Sequence, residues 1–500
     1  MSTKRTTSIL FVLRLLRMLV GVLSAMVTAK FFGISIEKDC WLLALTITTT
    51  IVGAVWGPVN EIFRTKFVYI QESEGAMKAL QQTSSLIGFI IRTSLILCVI
   101  LYCFVDVISM GVFKNIAPES LGTFTLLFIC LLPTILLNEI NNILICVLNA
   151  FEIYYLPELV ATFTSFFGLF FVYLTASYIG IYSLLVYTYV GIVVLLLTLI
   201  VFLRKRNIPI FQCVCSYKWG DAKVFIIYSI PLFFPYFISQ SNSFFEKYLA
   251  GLLGTGTISL VDYARQFTNI LQTVLTSVIT TVMLPLLSKA FITKNQHSMF
   301  QIILENTSMV FLILGFALFF LVGSAEPLCS FLYDKGSIDS DNLFRIAQLT
   351  RCYGISFIGV AFYVIFAISM LALNQRKQYA LIGAISQIMI LVLNILLIGK
   401  LNVFTFPLSY GVVHLLTGGV LFYIMKIDNK HLISYRIFRC IVGITLLSFI
   451  VFGVNQYVAF HTPIYALLFT FLLTVIFSPL LMVSVGVEIR PLIKRIINRK

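Results

Sequence analysis

The sequence predicts an all-α polytopic membrane protein of about fourteen transmembrane helices, and three observations predict it. The 500 residues are 60% hydrophobic and 11% charged with a mean hydropathy of +1.01, whereas soluble domains are roughly half apolar and a quarter charged. Apolar runs near 20 residues, enough to cross about 30 Å of hydrocarbon, follow one another from end to end with short polar breaks. The basic residues gather in alternate breaks, as cytoplasmic loops do, and put both termini in the cytoplasm.

The runs fall at 8–32, 38–58, 83–112, 119–148, 156–178, 180–203, 221–245, 257–285, 298–322, 343–370, 376–398, 402–426, 434–458 and 461–486. In the first, Arg14, Arg17, Met18, Gly21, Ser24, Ala25 and Thr28 recur at three and four, a cationic and polar stripe along one helix face. That face prefers water or an anion; the alternative is that both arginines snorkel to the cytoplasmic surface as anchors. The second run, with Thr46, Thr48, Thr49 and Thr50, ends near Pro58. From Glu61 to Gln82 the charges Arg64, Lys66, Glu72, Glu74 and Lys78 read as a solvated cytoplasmic helix.

Arg92 lies inside the third run, and Pro133 breaks the fourth ahead of Asn138, Glu139, Asn141, Asn142 and Asn149, which read as a cavity lining or as interhelical hydrogen bonding. The fifth and sixth part at Ser177-Tyr178-Ile179-Gly180, and Pro231 and Pro235 kink the seventh. Beyond Gly251, Gly254 and Gly256, the eighth run carries Asp262 and Arg265, three apart on one face. That face lines a wet cavity or a helix interface, since lipid exposure costs roughly 2.5–3.5 kcal/mol per charge. Arg351, Asn394 and His414 sit in the tenth, eleventh and twelfth runs, the histidine reading as a hydrogen-bonded structural residue. The basic cluster Lys494-Arg495 to Arg499-Lys500 ends the chain.

The halves resemble each other faintly. Ala29-Lys-Phe-Phe-Gly33 followed by Asp39 and Pro58 matches Ala250-Gly-Leu-Leu-Gly254 followed by Asp262 and Pro285. This predicts an N-lobe of six spans over 1–203, a basic cytoplasmic linker over 204–220, a C-lobe of six over 221–426, and two further spans with a basic tail over 427–500.

Much is excluded. The net charge of +15 is spread as topology markers, which argues against nucleic acid. No GxxxxGK[ST] or HExxH occurs, the ten cysteines lack metal-site spacing, and the longest external segment, 323–342, is too short for a catalytic domain. The expectation is a monomeric transporter or flippase, with no cofactor, rather than an enzyme.

At Gly254-Thr-Gly-Thr-Ile-Ser-Leu-Val-Asp-Tyr263-Ala-Arg-Gln-Phe267, continuing to Leu284-Pro285-Leu-Leu-Ser288-Lys289, the chain resembles the MurJ/MviN family of lipid II flippases, within the multidrug/oligosaccharidyl-lipid/polysaccharide exporter superfamily. Ala29–Gly33 with Asp39, Leu148-Asn149-Ala-Phe151 with Pro157, and Tyr353-Gly-Ile-Ser-Phe-Ile-Gly359 extend the likeness over nearly the whole chain. The resemblance implies two six-helix lobes arranged as a V around a central cavity, with two C-terminal helices forming a groove toward lipid. It implies alternating-access movement of an undecaprenyl-pyrophosphate-linked sugar to the outer leaflet, with membrane lipid and a polysaccharide polymerase or glycosyltransferase as further partners. On that reading Arg14, Arg17, Ser24, Arg92, Asn142, Asp262, Arg265 and Arg351 line the pyrophosphate and sugar cavity, because guanidinium forks match phosphate oxygens. Two departures stand out: Ser24 replaces a second arginine on the first helix, and the eighth reads Tyr263-Ala-Arg-Gln where the family has Tyr-Ala-Asp-Arg. These point toward a surface-polysaccharide precursor, such as an O-antigen repeat unit, over lipid II. A cation-coupled drug or metabolite exporter is the third reading. Carboxylates for a sodium site are missing from the eleventh span, and the seventh has none between Asp221 at its very start and Glu246.

Overall fold

The computed structural model describes residues 3–279, 283–334, 336–425, 427, 429–458, 460 and 462–486. Thr280, Thr281, Lys426 and the C-terminal basic cluster lie outside the described residues, as do the side chains of Pro285 and Arg376. Every regular element among the described residues is helical. Among the described residues twelve segments are long and apolar enough to cross a membrane; one, Lys377–Ile424, contains two of the expected spans, and the expected eighth span, which carries Asp262 and Arg265, runs into residues outside the described ones. The chain is therefore a multi-pass helical membrane protein with the expected order of spans.

The chain divides into two compact units, Met1–Ser259 and Leu260–Lys500. The first contains α1 (Thr3–Phe32), α2 (Ile36–Glu74), α3 (Ala76–Cys103), α4 (Val105–Phe113), α5 (Leu121–Leu131), α6 (Pro133–Ala150), α7 (Tyr155–Ile179), α8 (Tyr182–Lys205) and α9 (Trp219–Leu252). Helix α9, expected to open the C-lobe, packs on α2 and α3 within this unit. Pro133 opens α6, where its missing N–H is harmless, and Gly180 caps α7 with φ +56, its N–H bonding the Ala176 carbonyl at 2.9 Å.

The segment Glu61–Gln82 corrects the expectation of a separate solvated helix. It is shared between extensions of α2 and α3, parted at Gly75 with φ +93. Phe63, Phe67 and Ile70 turn inward, with Phe63 stacked on Phe225 of α9 at 5.0 Å between ring centroids. The stretch is amphipathic, and its charges occupy only the other face. The linker is likewise built in. Ile210 is wholly buried in the same apolar cluster, and the backbone N–H groups of Cys213 and Lys218 donate to Ser84 and Ser85 Oγ at 2.7 and 3.4 Å.

The second unit holds most of α10 (Thr257–Val278), then α11 (Leu284–Ile292), α12 (Gln296–Tyr333), α13 (Ser340–Ala372), α14 (Arg376–Leu401), α15 (Thr405–Ile424), α16 (Lys430–Tyr457) and α17 (Pro463–Val485). Helices α13 and α15 cross on a seam of small residues. A methyl on Gly359 would lie 2.2 Å from the Gly411 carbonyl oxygen, and one on Gly411 would lie 2.7 Å from Ser356 Cβ. The two C-terminal helices pack on α12, their join secured where Arg436 donates to Ser308 Oγ at 3.1 Å and to the Val485 carbonyl at 2.9 Å. Large exposed apolar side chains such as Phe166, Phe170, Leu197, Phe449 and Phe471 suit a surface that faces lipid.

Candidate functional site

In the first unit, α1 presents Arg14 and Arg17 to one carboxylate. Arg14 Nε lies 3.8 Å from Glu158 Oε1, and Arg17 Nη1 donates to Glu158 Oε2 at 3.3 Å. The spacing of three puts both guanidinium groups on one side of α1, and Glu158 stands in the first turn of α7 just past Pro157. The arginine side chains are 50% and 55% exposed and Glu158 25%, so both guanidinium groups keep accessible surface for a competing anion. Ser24, seven residues beyond Arg17 on the same face, is half-buried. Glu158 went unnoticed in the sequence because a single acidic residue after a proline reads as a helix start.

The other predicted residues of this unit are committed elsewhere. Arg92 turns away from the helix stripe onto the linker: its Nη1 donates to the Val214 carbonyl at 3.0 Å and its Nη2 to that of Cys215 at 2.7 Å, while its guanidinium lies 4.5 Å from the Tyr217 ring centroid. Asn142 donates to Glu139 Oε2 at 3.4 Å, and Asn60 of α2 donates to the same oxygen at 3.1 Å. Asn60 also borders a cavity of about 350 Å³ between α2, α6 and α9, lined with Glu61, Arg64, Cys146, Asn149 and Tyr236. Tyr236 OH donates to Glu61 at 3.0 Å, and Arg64 donates to Tyr154 OH at 2.7 Å.

Asp39, noted in the sequence for its place in the repeat and in the family likeness, is a fully buried cap. Its Oδ2 accepts from the Gly256 N–H at 2.6 Å and its Oδ1 from the Ser259 N–H at 2.7 Å and the Ser259 hydroxyl at 2.5 Å. A carboxylate on the first N–H groups of α10 satisfies donors that no helical turn can reach. The repeat places its counterpart, Asp262, one turn inside α10, half-buried beside Arg265.

In the second unit the Arg265 guanidinium lies 5.1 Å from the Tyr410 ring centroid, and Tyr410 OH donates to Gln272 at 3.3 Å. His414 is the structural histidine expected, with Nδ1 2.7 Å from the Tyr410 carbonyl of its own helix. Arg351 is 9% exposed and bonds Glu326 at 2.8 Å. Its partners follow from Pro327, which has no N–H for the Gly323 carbonyl. The helix kinks at Ser324 (φ −126, ψ 23); Asn455 Nδ2 takes the Gly323 carbonyl at 2.7 Å and Arg351 Nε the Val322 carbonyl at 3.2 Å. The sequence-predicted residues thus separate into two sets. Arg14 and Arg17 converge on one anion-like carboxylate, whereas Arg92, Asn142 and Arg351 serve their own units.

The family model described as "Lipid II flippase MurJ" matches residues 28–476. A lipid II flippase MurJ of Burkholderia cenocepacia is 26% identical over 151 residues, 30% of this chain; the match spans only 29% of that relative's length. Among solved structures, a lipid II flippase MurJ in an inward closed conformation superposes with a TM-score of 0.78 at 17% identity, covering 97% of this chain and 99% of that one. An inward-facing multidrug resistance MATE family transporter of the MOP superfamily gives 0.66 at 12% identity, covering 81% and 93%. At such identities the structures establish a shared fold alone. The model matched over 28–476 goes further: this chain belongs to the lipid II flippase MurJ family.

Proposed function

We propose that the protein moves lipid II, an undecaprenyl-pyrophosphate-linked precursor of peptidoglycan, from the cytoplasmic to the outer leaflet of a bacterial inner membrane by alternating access. The observation that carries this reading is the pair Arg14 and Arg17 on Glu158, taken with membership of the family. A carboxylate held by two wet guanidinium groups stands where a pyrophosphate would bind, and the phosphate offers more oxygens in a geometry that both forks match. Displacing Glu158 frees a carboxylate that remains hydrated, so the exchange costs little. Ser24 is proposed to contact the sugar-phosphate beside Arg14 and Arg17; within the second unit Tyr410 braces the Arg265 guanidinium.

The preference for a surface-polysaccharide carrier, drawn from Ser24 and from the order Tyr263-Ala-Arg-Gln, is not supported: the family model and the curated relative both carry lipid II in their descriptions. Those two departures keep another undecaprenyl-pyrophosphate oligosaccharide as the second reading. Depleting the protein in its host and analysing extracted undecaprenyl species by mass spectrometry separates the two. Lipid II accumulating with lysis is the expected result; a complete non-peptidoglycan repeat unit accumulating instead, with loss of a surface glycan, would move the assignment to the second reading. No change in either pool would remove lipid-linked sugars as substrates.

A further inference from the structure

Glu139 is a carboxyl for which the pyrophosphate reading has no use. It is wholly buried in α6, ahead of the cavity between α2, α6 and α9. Both amide donors that reach it, Asn60 Nδ2 and Asn142 Nδ2, converge on Oε2. Its Oε1 is enclosed without a hydrogen-bond partner, and so is Asn60 Oδ1. No lysine or arginine pairs with it among the described residues. On α2, Glu61 is taken by Tyr236 and Arg64 by Tyr154. On α3, Lys78 pairs with Asp221 at 3.6 Å and Arg92 holds the linker. Helix α8 meets this stretch of α6 through a backbone oxygen, Ile192 accepting from Asn141 at 3.0 Å, and the nearby thiol of Cys146 lies against the Asn60 carbonyl at 3.9 Å.

An ionised carboxylate is costly to keep in such a place without a counter-charge, and among the described residues no lysine or arginine forms an ion pair with it. A proton on Oε1 neutralises the group and turns an orphaned acceptor into a donor, while Oε2 keeps its two amide bonds. A sodium ion would need several oxygens to replace its hydration shell, whereas a proton needs just the one bare oxygen, Oε1. Asn60 both bonds Glu139 and borders the cavity, so one side chain separates the carboxyl from water.

We propose that Glu139 is a proton-binding site, loaded from the α2/α6/α9 cavity past Asn60, and that its proton is the coupling ion for transport. The binding half stands by itself; the coupling half rests on the flippase reading above.

The two halves are tested separately. Infrared difference spectra of the purified protein in lipid, at neutral pH, report a protonated carboxyl stretch. The expected result is a band lost in Glu139→Gln and moved to higher frequency in Asn60→Ala and Asn142→Ala, each of which removes one donor from Oε2. A spectrum unchanged by Glu139→Gln overturns the site, and so does a band that sodium removes at constant pH. Should Glu139→Gln not accumulate, the two asparagine variants decide it, and an unmoved band in both counts against the proposal. In proteoliposomes with lipid II as probe, an imposed pH gradient speeds translocation by the unaltered protein and leaves Glu139→Gln unaffected. Equal stimulation of both refutes the coupling role. Absence of any lipid II movement in the unaltered protein defeats the flippase reading instead, while the spectra still settle the proton.

Discussion

The arginines of α1 and the arginine of α13 carry the same sequence signature, a cation inside an apolar run, and the structure uses them in opposite ways. Arg14 and Arg17 share one partly exposed carboxylate and remain half open. Arg351 is buried, bonded to Glu326, to the Val322 carbonyl beside the α12 kink and to the face of Phe452 at 4.8 Å. An ion pair in a wet site exchanges its anion at little cost, while one that mends a helix break cannot let go without exposing backbone. The lesson is that a charge in a membrane span identifies a need, and its partners decide whether that need is substrate or scaffold.

The largest effect should come from the open pair. Arg17→Ala is predicted to cut translocation at least about tenfold, the equivalent of a lost charge-assisted hydrogen bond near 1.5 kcal/mol, with membrane abundance unchanged. Arg17→Lys should restore little, since an ammonium lacks the fork. Complementation alongside immunoblotting measures both, and full activity of the alanine variant would end the assignment of α1 as the pyrophosphate site.

Arg351→Ala tests the other side of the comparison. It leaves the Val322 carbonyl and the partly exposed Glu326 without their partner and should cost about 2 kcal/mol of stability, seen as a lower thermal midpoint in detergent and reduced abundance. If the variant is as stable as the parent but fails to transport, Arg351 belongs with the substrate arginines after all.

Arg92→Ala sharpens the division further down the scale. Losing two bonds to the linker should cost on the order of 1–2 kcal/mol and open 204–218 to protease, with the rate of translocation per folded molecule retained. An unchanged digestion pattern would show that Ser84 and Ser85 hold the linker unaided.

The smallest effect is expected from a double-mutant cycle on Arg17 and Glu158. Their coupling should be under about 1 kcal/mol, because both groups stay hydrated. Glu158→Gln removes the internal anion and should tighten the binding of a lipid-linked pyrophosphate, read by titration. Weaker binding would mean that Glu158 orients the arginines and does not compete for them.

Length, hydropathy and charge by themselves determined that this is a helical polytopic protein, and the order of its spans, because an apolar run of spanning length has one stable conformation in hydrocarbon. They also determined the stripe of Arg14, Arg17 and Ser24 and the α6 break at Pro133, since helical periodicity and the missing proline N–H are local properties. What the arginines bind was not legible. Glu158 lies 141 positions from Arg17, and the acceptors of Arg92 and one of those of Arg351 are backbone carbonyls, which leave no mark in a sequence. The stretch Glu61–Gln82 misled because its charges are conspicuous while Phe63, Phe67 and Ile70 reveal an inner face only once α9 is there to cover it. Glu139 stood in view among asparagines, but burial, two donors on one oxygen and none on the other are facts of how α2 packs on α6. Local chemistry fixes which segments become helices; only their packing decides which polar groups are satisfied by the protein and which are left for a ligand.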